Sequence, residues 1–473
     1  MYKSFMRISF FLFFFLFFSG AIFAQSSITI SNYTNGTEID YPVALIYGAV
    51  SDPEAKDVLC RNLSSDRTSK EIHGSAWQGR FKVLAELVPG ENKLELVSGD
   101  CVETLTLSYR KNDNPLVVRV IYMTDSSGAT EYQTQKANDP QNYKGKLDTL
   151  MKLMQTFTAE RMNDLGFGRK TFNIELDDKG DVVVHLFKGQ KTAQEYYEMS
   201  QNKWYEALFE ELRVTFPLDN ARNLVIPAYT RFDSETKQTK GHTALGGGAG
   251  QALFGSGNMF TWPDALTDVV AAMTDSTPID TDHFMDDSVG RSNFWGAAST
   301  TMGACLHELG HTFDLPHSEH PHDIMTRGID RFNRAFVMRE APHRHNPNWY
   351  DFKEDEIALW PPVSAYPLMV NRFLADSLPK PADNHIDIQF NNQTGEISIS
   401  SPDRIWFVNC FCESSVRWFF APPLSEELPT SCKIPFLEIQ KICPPEAKIY
   451  DFQVRDKNGA FKMLRLELNR NPK

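Results

Sequence analysis

His307-Glu308-Leu309-Gly310-His311-Thr312-Phe313-Asp314-Leu315-Pro316-His317 is the stretch on which the reading of this chain turns. In an α-helix each residue advances about 100 degrees, so His311 falls about 40 degrees from His307, one turn further along. Glu308 lies about 100 degrees from His307, beside that face. Met302, Leu306, Leu309 and Phe313 gather roughly between 200 and 260 degrees, on the opposite side. The helix is therefore expected to carry two imidazoles on one side and core on the other. Ala304 is on the imidazole side and small enough to leave room there. Cys305, at about 160 degrees, points away and reads as a small core residue.

Paired imidazoles at this spacing are metal ligands, and a catalytic zinc takes three protein ligands while keeping one position open. His317 is the candidate third. Leu315-Pro316 ends the helix, because proline lacks the N–H that would continue it, and the chain can turn back. His320 and His322 compete for the role; the spacing favours His317. Glu308 is the candidate general base for a zinc-activated water. A structural zinc site would not need that carboxylate.

The stretch resembles the metzincin zinc peptidases, whose pattern HExxHxxGxxH is followed by a methionine turn. Ile324-Met325 lies where that turn is expected. The closest likeness is to a group of zinc metallopeptidases with a His-Glu-Leu-Gly-His-Thr-Phe core and a following Met-Thr-Arg-Gly-like stretch. The likeness is specific over residues 307–336 and looser over residues 115–370. It implies a metzincin-like α/β (α+β) catalytic domain and one catalytic zinc ion held by His307, His311 and His317. It also implies Glu308 as catalytic residue and Met325 as an apolar floor that does not bind the metal. Asp314 stands where the family has glycine. Aspartate is one of the few residues that tolerate a left-handed backbone, so the turn is expected there, and the reach of His317 depends on it. Arg327 stands two residues after Met325, so a fifth, tyrosine ligand is not expected. A peptide substrate is expected to lie extended along a sheet edge within residues 241–260.

Outward from this stretch, the 473 residues suffice for two or three domains. A net charge of -13 with no long basic block argues against a nucleic-acid partner, which needs a basic face. Lys3 and Arg7 precede a phenylalanine-rich run over residues 10–18, then Ser19, Gly20, Ala21 and Ala24. That is a signal peptide over residues 1–24, since the run is shorter than the ~20 apolar residues a spanning helix needs. The mature chain is expected to be secreted or periplasmic, without stable membrane insertion. Of seven cysteines, Cys60 and Cys101 share one segment and four sit in the last quarter. In an exported chain this predicts one bridge near the N-terminus and up to two near the C-terminus.

Residues 25–112 alternate apolar and polar positions (Leu105, Leu107, Tyr109), with turns at Asn35-Gly36 and Gln78-Gly79. They predict an N-terminal β-sandwich, and Trp77-Gln78-Gly79-Arg80-Phe81 resembles accessory immunoglobulin-like domains of exported enzymes. Residues 113–374 form the catalytic domain: a strand at 116–123, a helix at 146–165 with one apolar face, strands at 171–176 and 182–187, a helix at 194–212, a strand at 224–229, and a short helix at 353–359 ending at Pro361-Pro362. After a linker over residues 375–383, residues 384–473 predict a C-terminal β-sandwich-like domain, open to glycan or protein binding or to plain packing. The glycine-rich run over residues 241–262 reads as an irregular edge beside a substrate cleft or as a loop. Asp275, Asp280, Asp282, Asp286 and Asp287 allow a calcium site, but their spacing fits no EF-hand, and a solvated acidic loop is preferred. The function these features support is an exported zinc metalloendopeptidase acting on protein or peptide. The alternatives are an exported multi-module binding protein with a structural zinc site, and a zinc amidase on a non-peptide substrate.

Overall fold

The computed structural model describes residues 27–64, 71–247, 249–374, 384–412 and 415–468. The expected signal peptide over residues 1–24, the expected linker over residues 375–383 and Gly248 of the glycine run lie outside the described residues.

The N-terminal region is all β. Strands Ile28–Ile30, Val43–Val50, Arg80–Glu86 and Ser75–Trp77 form one sheet; Thr37–Ile39, Cys101–Tyr109, Gly90–Ser98, Leu59–Asn62 and Ile72–His73 form another. Alternation explains the layering: Leu105, Leu107 and Tyr109 are buried, and the residues between them are not. Ala44, Ile46 and Phe81 of the first sheet meet Leu94, Leu96 and Leu107 of the second in one cluster. Neither the expected N-terminal disulfide nor the C-terminal ones are formed: no two of the seven cysteines are bridged. The register keeps Cys60 and Cys101 apart, with Cys60 opposite Leu96 and Cys101 opposite Ser98.

The central region is built on a mixed sheet. Its elements in chain order are β1 (Val117–Thr124), α1 (Tyr143–Asp164), β2 (Val184–Lys188), α2 (Gln201–Leu212), β3 (Ala221–Pro227), β4 (Ala244–Gly246), β5 (Gln251–Phe254) and α3 (Phe294–Thr312). The strand order is β2-β1-β3-β5-β4, parallel throughout except for β4, which runs antiparallel along the edge. Strand periodicity sends Val118, Val120, Leu224, Ile226, Ala252 and Phe254 to the face covered by α1 and α3. Ile121, Met123, Val225 and Leu253 go to the face covered by Trp204, Leu208 and Leu212 of α2. A sheet buried on both faces needs helices on both, which is what near-continuous apolar strands demand.

Several local expectations are corrected. Helix α1 is buried nearly all round rather than on one face, because the N-terminal sheet covers its outer side: Val43, Leu45 and Leu84 join the same core. Two of its buried charged residues, Glu160 and Lys152, are matched to the N-terminal region. Glu160 accepts from Tyr33 (2.7 Å), Tyr41 (3.1 Å) and Arg169 Nε (2.8 Å), and Lys152 Nζ meets Glu86 at 3.0 Å. The helix expected over 194–212 is split into Ala193–Tyr197, whose Thr192 and Glu195 form a capping box, and α2, which starts afresh after Ser200. The strand at 171–176 reduces to isolated bridges at Ile174 and Leu176. The helix at 353–359 is only a 3-10 turn, Glu354–Glu356, and Pro362 opens a helix (Pro362–Met369) instead of following one. Proline suits a first helical position, where the N–H has no partner within the helix.

In the C-terminal region β7 (Ser415–Phe420) lies in one sheet with strands Ile405–Cys412, Ile449–Asp456 and Phe461–Glu467, and β6 (His317–Ser318) of the central region joins that sheet at its edge. A three-stranded sheet packs with them around Ile397, Val408, Phe436 and Phe452. Trp406 and Phe419 pack instead against the central core. Among the described residues no helix is long and apolar enough to cross a membrane.

Candidate metal centre

Helix α3 begins at Asn293, whose side chain accepts from the Gly296 N–H at 3.0 Å, a standard way to satisfy a first-turn donor. The helix is buried along its length except at the two imidazoles: His307 and His311 are half-buried, while Met302, Cys305, Leu306 and Leu309 are fully enclosed. It stops at Phe313. Asp314 takes φ 63, and the Leu315 N–H returns to the Gly310 carbonyl at 3.1 Å. The left-handed residue thus does the work of a C-terminal glycine.

That turn orients two of the candidate ligands at once. It presents the Leu315 carbonyl to His311 Nδ1 at 2.9 Å and carries the chain to His317. His307 Nδ1 is held by the Ile324 carbonyl at 2.7 Å. A carbonyl only accepts, so both Nδ1 atoms carry the proton, and both Nε2 lone pairs face the space between the rings. His317 Nε2 stands 3.2 Å from each of those Nε2 atoms. Three nitrogens around a tetrahedral ion with bonds of 2.0–2.1 Å would be separated by about 3.3 Å, so the donor set fits zinc. Burial and the neighbouring imidazoles lower His307 to about 4, and burial lowers His311, which keeps both neutral as ligands must be. His320 and His322 do not join the group: their rings pack on each other, and Arg331 Nη1 lies 2.9 Å from His322 Nε2. Met325 is fully buried beneath α3, and Gly310 is small where it must be, since a Cβ there would come within 2.5 Å of Met325 Sδ.

Glu308 is 6% exposed, with Oε1 3.9 Å from His307 Nε2. Burial pushes its carboxyl up to about 8, opposed by a hydrogen bond from the Gly246 N–H. A dication beside it would favour the carboxylate form. Gly246 belongs to edge strand β4, which lies so close to α3 that a Cβ at this position would sit 2.0 Å from the Glu308 carbonyl oxygen. The glycine run is therefore an edge against the site and not merely a loop.

The sequence reading missed three contributors. Asp323, fully buried, accepts from Ser318 Oγ (2.6 Å), Ser364 Oγ (2.7 Å) and the Met325 N–H (2.9 Å). It ties the residue next to His317 to the methionine turn. Tyr205 of α2 donates to the Gln251 carbonyl at 2.8 Å, and burial, with a smaller contribution from Glu308, pushes its hydroxyl up to about 12. Strand β7 pairs in parallel with β6, setting His317 opposite Ser415. Local patterning carries no signal for any of these, because each is a contact across the fold. The acidic segment brings no metal cluster together: Asp280 meets His283, Asp282 meets Lys237, and Asp286 accepts from Ser292. Among the described residues, the His307, His311 and His317 trio is the one group able to hold a metal ion.

The family described as "Putative peptidase family" matches residues 27–394. Two curated relatives are both named "Putative zinc metalloproteinase". The one from Schizosaccharomyces pombe is 29% identical over 280 residues, 55% of this chain and 45% of that protein. The one from Saccharomyces cerevisiae is 27% identical over 353 residues, 67% of this chain and 50% of that protein. The chain spans about half the length of the curated relatives it matches. Among solved structures, wild-type OgpA from Akkermansia muciniphila superposes with a TM-score of 0.44 at 16% identity, over 75% of this chain and 93% of that one.

Proposed function

This chain belongs to the Putative peptidase family, and from that membership we propose that it is an exported zinc-dependent endopeptidase cleaving protein or peptide chains. The observation that carries the reading is the convergence of three Nε2 atoms beside a buried carboxylate. His307, His311 and His317 would hold the ion. Zinc, when bound, lowers the pKa of water and polarises a carbonyl.

The rest is done by this chain's own groups. Edge strand β4 offers an extended peptide a free backbone edge, and its contact with α3 brings that edge against Glu308. Glu308 takes the proton of the attacking water and passes it to the leaving amine. Its enclosure keeps bulk water from competing for that proton. Met325 gives the ligand cluster an apolar floor.

Residues 1–24 are read as the export signal, residues 25–112 and 384–473 as sandwich-like flanking domains, and residues 113–374 as the catalytic domain. Export is supported by the leader's composition, and cleavage after Ala24 would appear in the N-terminal sequence of the secreted chain.

The test is digestion of casein and a peptide library with and without a chelator, using the native chain and Glu308→Gln. Chelation should abolish cleavage and zinc should restore it. Glu308→Gln should keep one equivalent of zinc and lose turnover. Cleavage that survives the substitution would remove Glu308 from its role.

A further inference from the structure

A cavity of about 920 Å³ opens between the C-terminal end of α3 and the C-terminal sheet. One wall carries His311 and the edge residues Gly246 and Gly247; the other carries Asn409, Gln453 and Arg455. The cavity thus borders the candidate metal centre at His311 and takes eight of its twenty lining residues from the C-terminal region.

Its charge is unusual for a chain of net charge -13. Arg222, Arg372 and Arg455 all line it, and Asp314 is the one acid on its wall. None of the three guanidiniums forms an ion pair with a carboxylate among the described residues; their hydrogen bonds go to backbone carbonyls, of Thr312 for Arg222, Asp219 for Arg372 and Gly459 for Arg455. Asn409 is 2% exposed, and its Oδ1 has no hydrogen-bond partner. A half-turn of that amide would present its N–H2 group to an anion. Desolvation lowers both Arg222 and Arg455, the charge of Arg372 adds to the effect at Arg222, and Asp314 at both and Asp456 at Arg455 only partly oppose it. Arg222 and Arg455 are half-buried and Arg372 is exposed at the opening; a partly desolvated guanidinium gains from an anion beside it, because leaving such a charge unmatched is costly. Three cations and a free amide around one opening are a half-made site for an anion, and guanidinium geometry suits a planar carboxylate.

We infer that this cavity is a specificity site for a carboxylate on the substrate, built jointly by the end of α3 and the C-terminal sheet and read by Arg455 and Arg372. The inference rests on the peptidase reading, because it takes the bound carboxylate to belong to the chain lying along β4. The carboxylate can be an acidic side chain or the C-terminus of the peptide.

Binding separates these sources and does not require turnover. Fluorescent peptides are titrated against zinc-loaded Glu308→Gln by anisotropy: a neutral amidated peptide, the same peptide with glutamate or glutamine scanned through each position, and the neutral peptide with a free C-terminus. At one or more positions glutamate should bind at least tenfold tighter than glutamine, or the free C-terminus tenfold tighter than the amide. The added substitutions Arg372→Gln and Arg455→Gln should erase that preference, and Asp314→Asn should enlarge it. Circular dichroism melts confirm that each variant is folded. Equal affinity across all arms, no binding in any arm, or a preference that survives loss of both arginines overturns the site. A carboxylate preference in a native chain that cuts nothing would instead leave the site standing and sink the peptidase reading.

Discussion

His317 lies directly opposite Ser415 in a parallel strand pair, so the third imidazole of the candidate metal centre is positioned by a strand from the C-terminal region. One residue on, Ser318 pairs with Val416, and Glu319 meets Arg417 Nη1 at 2.7 Å. His317 is the exposed member of the trio and, among the described residues, no carbonyl holds its ring, unlike the other two. Its orientation therefore depends on its backbone. Val416→Pro, which puts a residue that sheets exclude into β7 opposite Ser318, should weaken zinc affinity by about tenfold or more, in the range seen when ligand-orienting groups are lost. Competition with a chromophoric chelator measures it, and an unchanged affinity would mean the pairing is incidental to the metal.

Asp314 holds a left-handed conformation at φ 63. Asp314→Gly should be neutral or stabilising by a few tenths to about 1 kcal/mol, because glycine adopts that region without strain. A β-branched residue is strained there by roughly 1–2 kcal/mol. Asp314→Val should accordingly lower stability and also loosen zinc, since the same turn places the Leu315 carbonyl on His311. Denaturant midpoints and zinc affinity for the two variants should move in opposite order to side-chain bulk.

Asp323 predicts a pH dependence. Burial raises its carboxyl to about 6, against the hydrogen bonds from Ser318, Met325 and Ser364. The folded chain then keeps this proton to higher pH than the unfolded chain. This group's contribution is thus greatest below about pH 4 and declines as pH rises to 6, by up to roughly 3 kcal/mol. In chelator-treated protein, the stability of the native chain relative to Asp323→Asn should fall over that window. A flat difference between the two urea titrations would place the titration elsewhere.

Glu160 joins the N-terminal sheets to α1. It is fully buried and serves two tyrosine hydroxyls and Arg169 at once. Glu160→Ala would leave the largely buried Arg169 without its partner. The expected loss is about 3–5 kcal/mol, the usual consequence of breaking one side of a buried ion pair. Equilibrium unfolding checks this, and a loss below 1 kcal/mol would show that the interface rests on apolar contact alone.

Much of the centre was readable before any fold was known. The 3.6-residue period puts His307 and His311 on one side and Met302, Leu306 and Leu309 on the other, and helix geometry allows nothing else. The left-handed propensity of aspartate foretold the turn at Asp314, and strand alternation foretold the buried positions of the N-terminal sheet. These are local properties, set by steric limits within a few residues. The rest was decided by contacts between distant segments. α1 reads as one-sided until the N-terminal sheet covers its far side. Cys60 and Cys101 look paired until the register sets them opposite Leu96 and Ser98. Asp323 is an ordinary aspartate until Ser318 and Ser364 close on it. So too with His317 and Ser415: a chain can specify by itself that a third histidine leaves the helix, but where its imidazole comes to rest is set by the strand that pairs with it, nearly a hundred residues away.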